Sequence, residues 1–278
     1  HDRAPVPDPA ARVGVTAGRD IASVGGAHER VEAMRASGLW TSDLSVAEYL
    51  LLLDVGYEPL GLVVGSSIYQ VATFVAPQRS GEIERLSQSM YDARGRAMAR
   101  MQEEARALGA DGIVGVRLKI GQWEWGSDLA EYLALGTAIR ARDGEQHRDP
   151  HGKPFTSGLS GQDFYKLRIG GLFPVGLVMG SCVYHVAHQS LRQAFKNMGR
   201  NVEMANYTQA LYDARELAME RMEAEARHVG ARGVVGVTIN EGSYGWGSHV
   251  IEFFAMGTAV RDGVAITSPD LHLSLPLG

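Results

Sequence analysis

The chain is poor in the features that usually announce a chemistry. It holds a single cysteine, Cys182, in 278 residues, which excludes an intrachain disulfide and fits a reducing, cytoplasmic compartment. Positive charge is not in excess. Lys and Arg number 27 against 32 Asp and Glu, for a net charge of -5 and a pI near 6.0, so bulk attraction to nucleic acid or to an anionic membrane is not expected. The most apolar stretch, Leu50 to Val64, is interrupted by Asp54, Gly56, Glu58 and Pro59, well short of the roughly 20 apolar residues of a membrane span. The opening HDRAPVPDPAARVGV has no basic-then-apolar signal pattern. Catalytic signatures are also missing: no H-E-x-x-H, no Walker lysine, no G-x-G-x-x-G after a strand, no Ser-His-Asp arrangement. The expectation is a non-enzymatic protein with no nucleic-acid partner and no membrane insertion.

What the chain does have is a repeat. GLVVGSSIYQVA from Gly61 reads against GLVMGSCVYHVA from Gly176, an offset of 115. Trp40-Thr41-Ser42 faces Phe155-Thr156-Ser157 at the same offset. Tyr91-Asp92-Ala93-Arg94 then faces Tyr212-Asp213-Ala214-Arg215 at an offset of 121, so six extra residues lie in between. The larger offset persists through Trp125-Gly126-Ser127 against Trp246-Gly247-Ser248 and Gly136-Thr137-Ala138 against Gly257-Thr258-Ala259. Ordered blocks with one insertion are a tandem duplication.

Within each copy the periodicity changes in the same order. Ser45 followed by Glu48, and Ser160 by Asp163, read as helix caps, with the helices stopping before Pro59 and Pro174. A β-rich run follows (62–71 and 177–187). A long helix is expected over about 83–108 and 202–229; Leu211, Ala214, Ala218, Met222 and Ala226 mark its apolar stripe. Alternation at Val114, Val116, Leu118 and Ile120 then predicts a strand with these four on one face, paired with a last strand over 130–139. The expected fold is α+β: two tandem β-α-β-β units, each an antiparallel sheet with one long helix plus a short N-terminal helix. The expected divisions are a flexible extension over 1–38, repeats over 39–140 and 157–263, a polar linker over 141–156 and a tail over 264–278.

EEARALGADGIVGVRLKI from Glu103 and EFFAMGTAV from Glu252 resemble the YbjQ-like family of heavy-metal-binding proteins. The resemblance implies a dodecin-like subunit that assembles into pentameric rings. A lone sheet covered by one helix leaves strand edges and a sheet face unburied, which assembly would cover. Five is odd, so a two-unit chain cannot tile one such ring. Five chains can supply one unit to each of two stacked rings, or the linkers can join different rings into a cage; closed symmetry favours the stacked rings.

Candidate site residues divide into two sets. Cys182, His185 and His188 form C-x-x-H-x-x-H, whose thiolate and imidazole groups suit a transition-metal ion. On a strand, however, His185 faces away from the other two, and the first copy has Ser67, Gln70 and Thr73 there. The competing reading is a buried cysteine with half-exposed histidines. The second set recurs in both copies. Asp92, Arg94, Asp213 and Arg215 are candidates for salt bridges between subunits, against a merely solvated helix face. Trp125 and Trp246 are candidates for interface anchors. Gly65-Ser66 and Gly180-Ser181 read as points of close backbone approach rather than a phosphate loop. The N-terminal segment remains available to recruit a protein partner.

Overall fold

In the computed structural model, residues 25–70, 80–123, 126–149, 151–185, 205–242 and 250–266 are described. After a helix α1 (Gly25–Ser37), the first repeat runs α2 (Val46–Asp54), β1 (Tyr57–Gln70), β2 (Gly81–Glu82), α3 (Glu84–Leu108), β3 (Gly112–Trp123) and β4 (Gly126–Ala141). The second runs β5 (Phe155–Thr156), α4 (Gly161–Ile169), β6 (Leu172–His185), α5 (Ala205–His228), β7 (Gly233–Gly242) and β8 (Val250–Asp262). The architecture is α+β, two tandem copies of one unit. No helix among the described residues is long and apolar enough to cross a membrane.

Local chemistry explains where the elements begin. Ser45 accepts from the Glu48 amide while the Glu48 carboxylate accepts from the Ser45 amide at 2.8 Å, a complete capping box for α2. Ser160 caps α4 through the Asp163 amide at 3.2 Å. Pro59 and Pro174 lie within β1 and β6, each at a break in register with the neighbouring strand. There the missing amide proton costs no ladder bond.

The long helices lie close to their sheets because small residues face small residues. Ala93, Ala97, Met101 and Ala105 of α3 are buried, as are Ala214, Ala218, Met222 and Ala226 of α5. A β-carbon at Gly65 would stand 2.1 Å from the Ala97 carbonyl oxygen, and one at Gly180 1.9 Å from that of Ala218. These glycines are points of close approach between strand and helix. A helix carboxylate fastens each contact: Glu104 accepts from the Val64 amide at 2.8 Å, and Glu225 from that of Met179 at 2.7 Å.

The strand alternation is corrected at one place. Val114 does not share a face with Val116. The register between β3 and β4 shifts between Val114 and Arg117, around Gly115 at φ +63°. This bulge turns Val114 toward Phe155 and Ile139, while Ile113 and Val116 face α3. The second copy repeats the shift around Gly236 at φ +62°.

Each repeat lends a strand to the other. Among the described residues, the first sheet is ordered β1-β4-β3-β5 and the second β2-β6-β8-β7. β5, at the end of the expected linker, runs parallel to β3 of the first repeat. β2 of the first repeat pairs with β6 of the second. The layers therefore alternate: first sheet, α3, second sheet, α5. Buried side chains of α3 pack on Val63, Ile113 and Tyr132 on one side, and the same cluster takes in Leu177, Met179, Val183 and Phe254 of the second sheet. α5 covers the opposite face through Val178, Cys182 and Phe253. Beside this stack, α2 and α4 enclose an aromatic cluster in which Phe155 and Phe164 stack at 6.1 Å and Tyr57 meets Phe164 edge-on at 5.3 Å. Part of the expected N-terminal extension is packed too: in α1, Val31 is buried and Met34 lies against Gly61.

Candidate functional site: the seam between the repeats

The most elaborate polar arrangement lies where α3 of the first repeat meets the second sheet. Arg94 leaves the middle of α3 and is wholly buried. Its guanidinium stands 2.7 Å from the Glu252 carboxylate of β8, which is also buried. It donates to the Ser181 hydroxyl at 3.2 Å, and Ser181 in turn donates to Glu252 at 2.8 Å. The flat face of the guanidinium lies 3.9 Å from the centre of the Phe254 ring, with Tyr132 of its own repeat at 5.2 Å. An arginine stacked on a ring and paired at its edge suits a desolvated contact, because guanidinium is weakly hydrated and bonds in plane. Removing either ion would leave the other buried alone.

Backbone and a second ion pair extend the seam. Ile83 donates its amide to the Val183 carbonyl at 2.8 Å, and the Val183 amide donates to Ser87 at 2.8 Å. Arg221 of α5 forks onto Glu82 at 2.6 and 2.8 Å and donates to the Ser181 carbonyl at 2.6 Å. Burial works to raise the Glu82 carboxyl, but hydrogen bonds from Arg221 and Ser87, with the Arg221 charge, outweigh it and hold it below its ordinary value. On the far side, the chain entering the second repeat lies along β3. Phe155 donates to the Asp111 carbonyl, Ser157 to that of Ile113, and the Val116 amide donates to the Ser157 carbonyl, at 2.8 to 2.9 Å.

A cavity of about 780 Å³ opens along this seam, lined among others by Arg85, Tyr91, Glu225 and His228. Burial raises the Glu225 carboxyl, and burial beside Glu225 pushes the Tyr91 hydroxyl up to about 12.

The residues singled out from sequence fall variously with respect to this seam. Arg94 is at its centre. Asp92 is exposed and accepts from Gln88 of its own helix at 2.8 Å, and Asp213 accepts from Gln209 at 2.7 Å. Arg215 lies against rings of its own repeat, Tyr212 and Phe253, each at 5.5 Å. Trp125, Trp246 and His188 lie outside the described residues. Cys182 and His185 are buried in β6. Their odd separation points them to opposite sides of the sheet, Cys182 toward α5. Burial pushes the Cys182 thiol up to about 12.

Sequence reasoning passed over one cluster. Asp143, Glu145 and His147 place one potential ligand atom each within 4.8 Å of one another. They sit on the surface after β4, where His147 and Asp143 are 2.5 Å apart and the Asp143 carboxylate also accepts from the Glu145 amide at 2.9 Å. A turn that satisfies its own backbone accounts for these contacts. Glu252 and Ser181 were missed as well. Both stand in segments matched between the copies, but nothing in those segments marks them as partners of Arg94.

Comparison with known proteins follows the same division into two units. Residues 58–142 and 173–262 each match the YbjQ family described as "Putative heavy-metal-binding". A Mycobacterium tuberculosis protein named as an encapsulin nanocompartment protein is 49% identical over 225 residues, spanning 80% of this chain and 86% of that one. A UPF0145 protein of Halorubrum lacusprofundi is 38% identical over 91 residues, 31% of this chain but 86% of its own length. One of Pseudothermotoga lettingae is 35% identical over 91 residues, 84% of its length. These shorter relatives are each about one repeat long. Neither the family description nor the name of any of these relatives is that of an enzyme, in agreement with the non-enzymatic reading.

Proposed function

The chain belongs to the YbjQ-like family, and from that premise we propose that it is the protomer of a self-assembling, non-enzymatic protein scaffold or shell. The observation that carries this reading is the seam. Two units of the family are joined here by exchanged strands, a shared helix layer and a buried ion pair. A unit that completes its core only against another unit is built to be one of a series. The nanocompartment name of the mycobacterial relative supports the same role. The finer form is five chains, each supplying one unit to each of two stacked rings. Native mass spectrometry of the untagged chain tests it. A fixed multi-chain species independent of concentration is expected, with five chains supporting the stacked rings and a bare monomer overturning the proposal.

A second reading, metal binding, is favoured by the family description together with the Asp143, Glu145 and His147 group. Elemental analysis after equilibration with zinc or copper tests it. Stoichiometric metal lost in His147→Ala would support that group, and loss in Cys182→Ala or His185→Ala would support the C-x-x-H-x-x-H run instead. The N-terminal segment is the proposed docking arm for a protein partner. Deleting residues 1–38 should then abolish partner association while the assembly persists.

A further inference from the structure

The seam has a duplicate whose two halves stand at opposite ends of the chain. Because the sequence is repeated, residues at the seam have counterparts, and among the described residues those below divide between two surfaces: the outer face of α5 with the β7 edge of the second sheet, and the open face of the first sheet with the segment at Trp40. Arg94 corresponds to Arg215, Glu252 to Glu131, Ser181 to Ser66, and Phe254 to Leu133. Arg215 keeps the contact that Arg94 makes within its own repeat: its place over Phe253 is that of Arg94 over Tyr132. Across the seam Arg94 also has Glu252, Ser181 and Phe254. Among the described residues, Arg215 has no ion pair at all.

Exposure follows the same division. Val183, under α3, is 0% exposed; its counterpart Ile68, on the open face of the first sheet, is 59% exposed. Phe155, which enters the seam beside β3, is 0% exposed, and its counterpart Trp40 is 45% exposed. Val116 of β3 is 1% exposed, and its counterpart Val237 of β7 is 40% exposed. Isolated apolar residues on a surface need no explanation. Here, though, each is the repeat of a side chain that the seam buries, and they stand on the two surfaces that would have to meet.

We propose that a second copy of this chain docks head to tail by repeating the internal seam, with Arg215 of one copy inserted between Glu131 and Ser66 of the next. In that contact the outer face of α5 covers the open face of the first sheet, and Ile68 is buried beneath it as Val183 is beneath α3. The segment at Trp40 lies along β7 of the preceding copy as Phe155 lies along β3. The contact is heterologous, so it propagates until the rotation closes. This inference rests on the scaffold reading and adds to it which surfaces meet and through which charges; because both units of each chain then stand in one continuous series, it takes the place of the stacked rings as the form of the assembly.

Charge reversal tests it on the full chain, read by light scattering after size exclusion. Arg215→Glu and Glu131→Arg are each expected to weaken self-association by at least roughly 30-fold, the effect of removing one partner of a desolvated charge pair. Circular dichroism of each should match the parent. An equimolar mixture of the two variants should associate again, because every junction between unlike variants joins opposite charges; only a closed ring with an odd number of copies would keep one like-charged junction. Variants that assemble like the parent would overturn this contact while leaving the scaffold reading intact. Dissociation that mixing does not reverse would also overturn it. A parent chain that is monomeric at every concentration would overturn both.

Discussion

Arg94 and Arg215 occupy the same position in a duplicated sequence, yet the structure gives them different surroundings. Arg94 is enclosed by its own helix layer and by a second sheet, and its charge is met by Glu252 at 2.7 Å. Arg215 has the rings of its own repeat and the outer side of the stack. The same contrast runs through the sheets. Among the described residues, the second is covered on both faces, by α3 and α5, and the first by one long helix, α3. What differs between the copies is less their chemistry than their position, since among the described residues α3 lies between two sheets and α5 against one.

The contrast can be broken most directly at the arginines. Arg94→Ala should destabilise the chain by about 3–5 kcal/mol, because Glu252 would remain buried without its ion. Arg215→Ala, measured at concentrations where the chain is dissociated, should cost less than about 1 kcal/mol. Urea unfolding checks both, and equal costs would contradict the difference in burial. The glycines sharpen the comparison from the other side, since they serve each repeat internally. Gly65→Ala and Gly180→Ala should each cost about 1–3 kcal/mol, as a methyl group forces the helix off the strand. Their thermal midpoints should fall together. Ser87→Ala removes the acceptor of the buried Val183 amide, for a loss of about 1–2 kcal/mol.

The smallest expected effect is on acid stability. The Glu82 carboxyl is held below its ordinary 4.5 in the folded chain. Its contribution is therefore fully present above pH 4.5 and is lost as the pH falls through the folded value. Glu82→Gln should lower stability by a constant amount between pH 6 and 8 and flatten the acid limb, so that the two curves converge at low pH. A parallel acid limb in the variant would mean that the Glu82–Arg221 pair contributes nothing measurable.

Much of the fold was legible before any coordinates. The two copies, the capped short helices, the long amphipathic helix and the closing hairpin all rest on local patterns, and local patterns survive in any context. Even Gly65 and Gly180 could be read as points of close approach, because a glycine matched in both copies amid β-branched residues calls for an explanation. The error at Val114 has an equally local cause. A bulge adds one residue to a strand and shifts the phase of every side chain upstream of it, and Gly115 alone, with no partner strand in view, does not mark where the shift falls.

The site was far less legible. Arg94 was named, but as one of a pair with Asp92, and the helix sends Asp92 to solvent and Arg94 into the seam. Glu252 and Ser181 lie 158 and 87 positions from Arg94 along the chain, and nothing in their neighbourhoods signals that they will meet it. The sequence by itself determined the repeating unit, its secondary structure and the small-residue faces that press helix on sheet, because those depend on residues a few positions apart. The tertiary structure decided that a helix of one copy lies between two sheets, and so which of two identical arginines is buried. That choice depends on which unit stands next to which, and adjacency between units is set by the path of the chain, not by the pattern inside either copy.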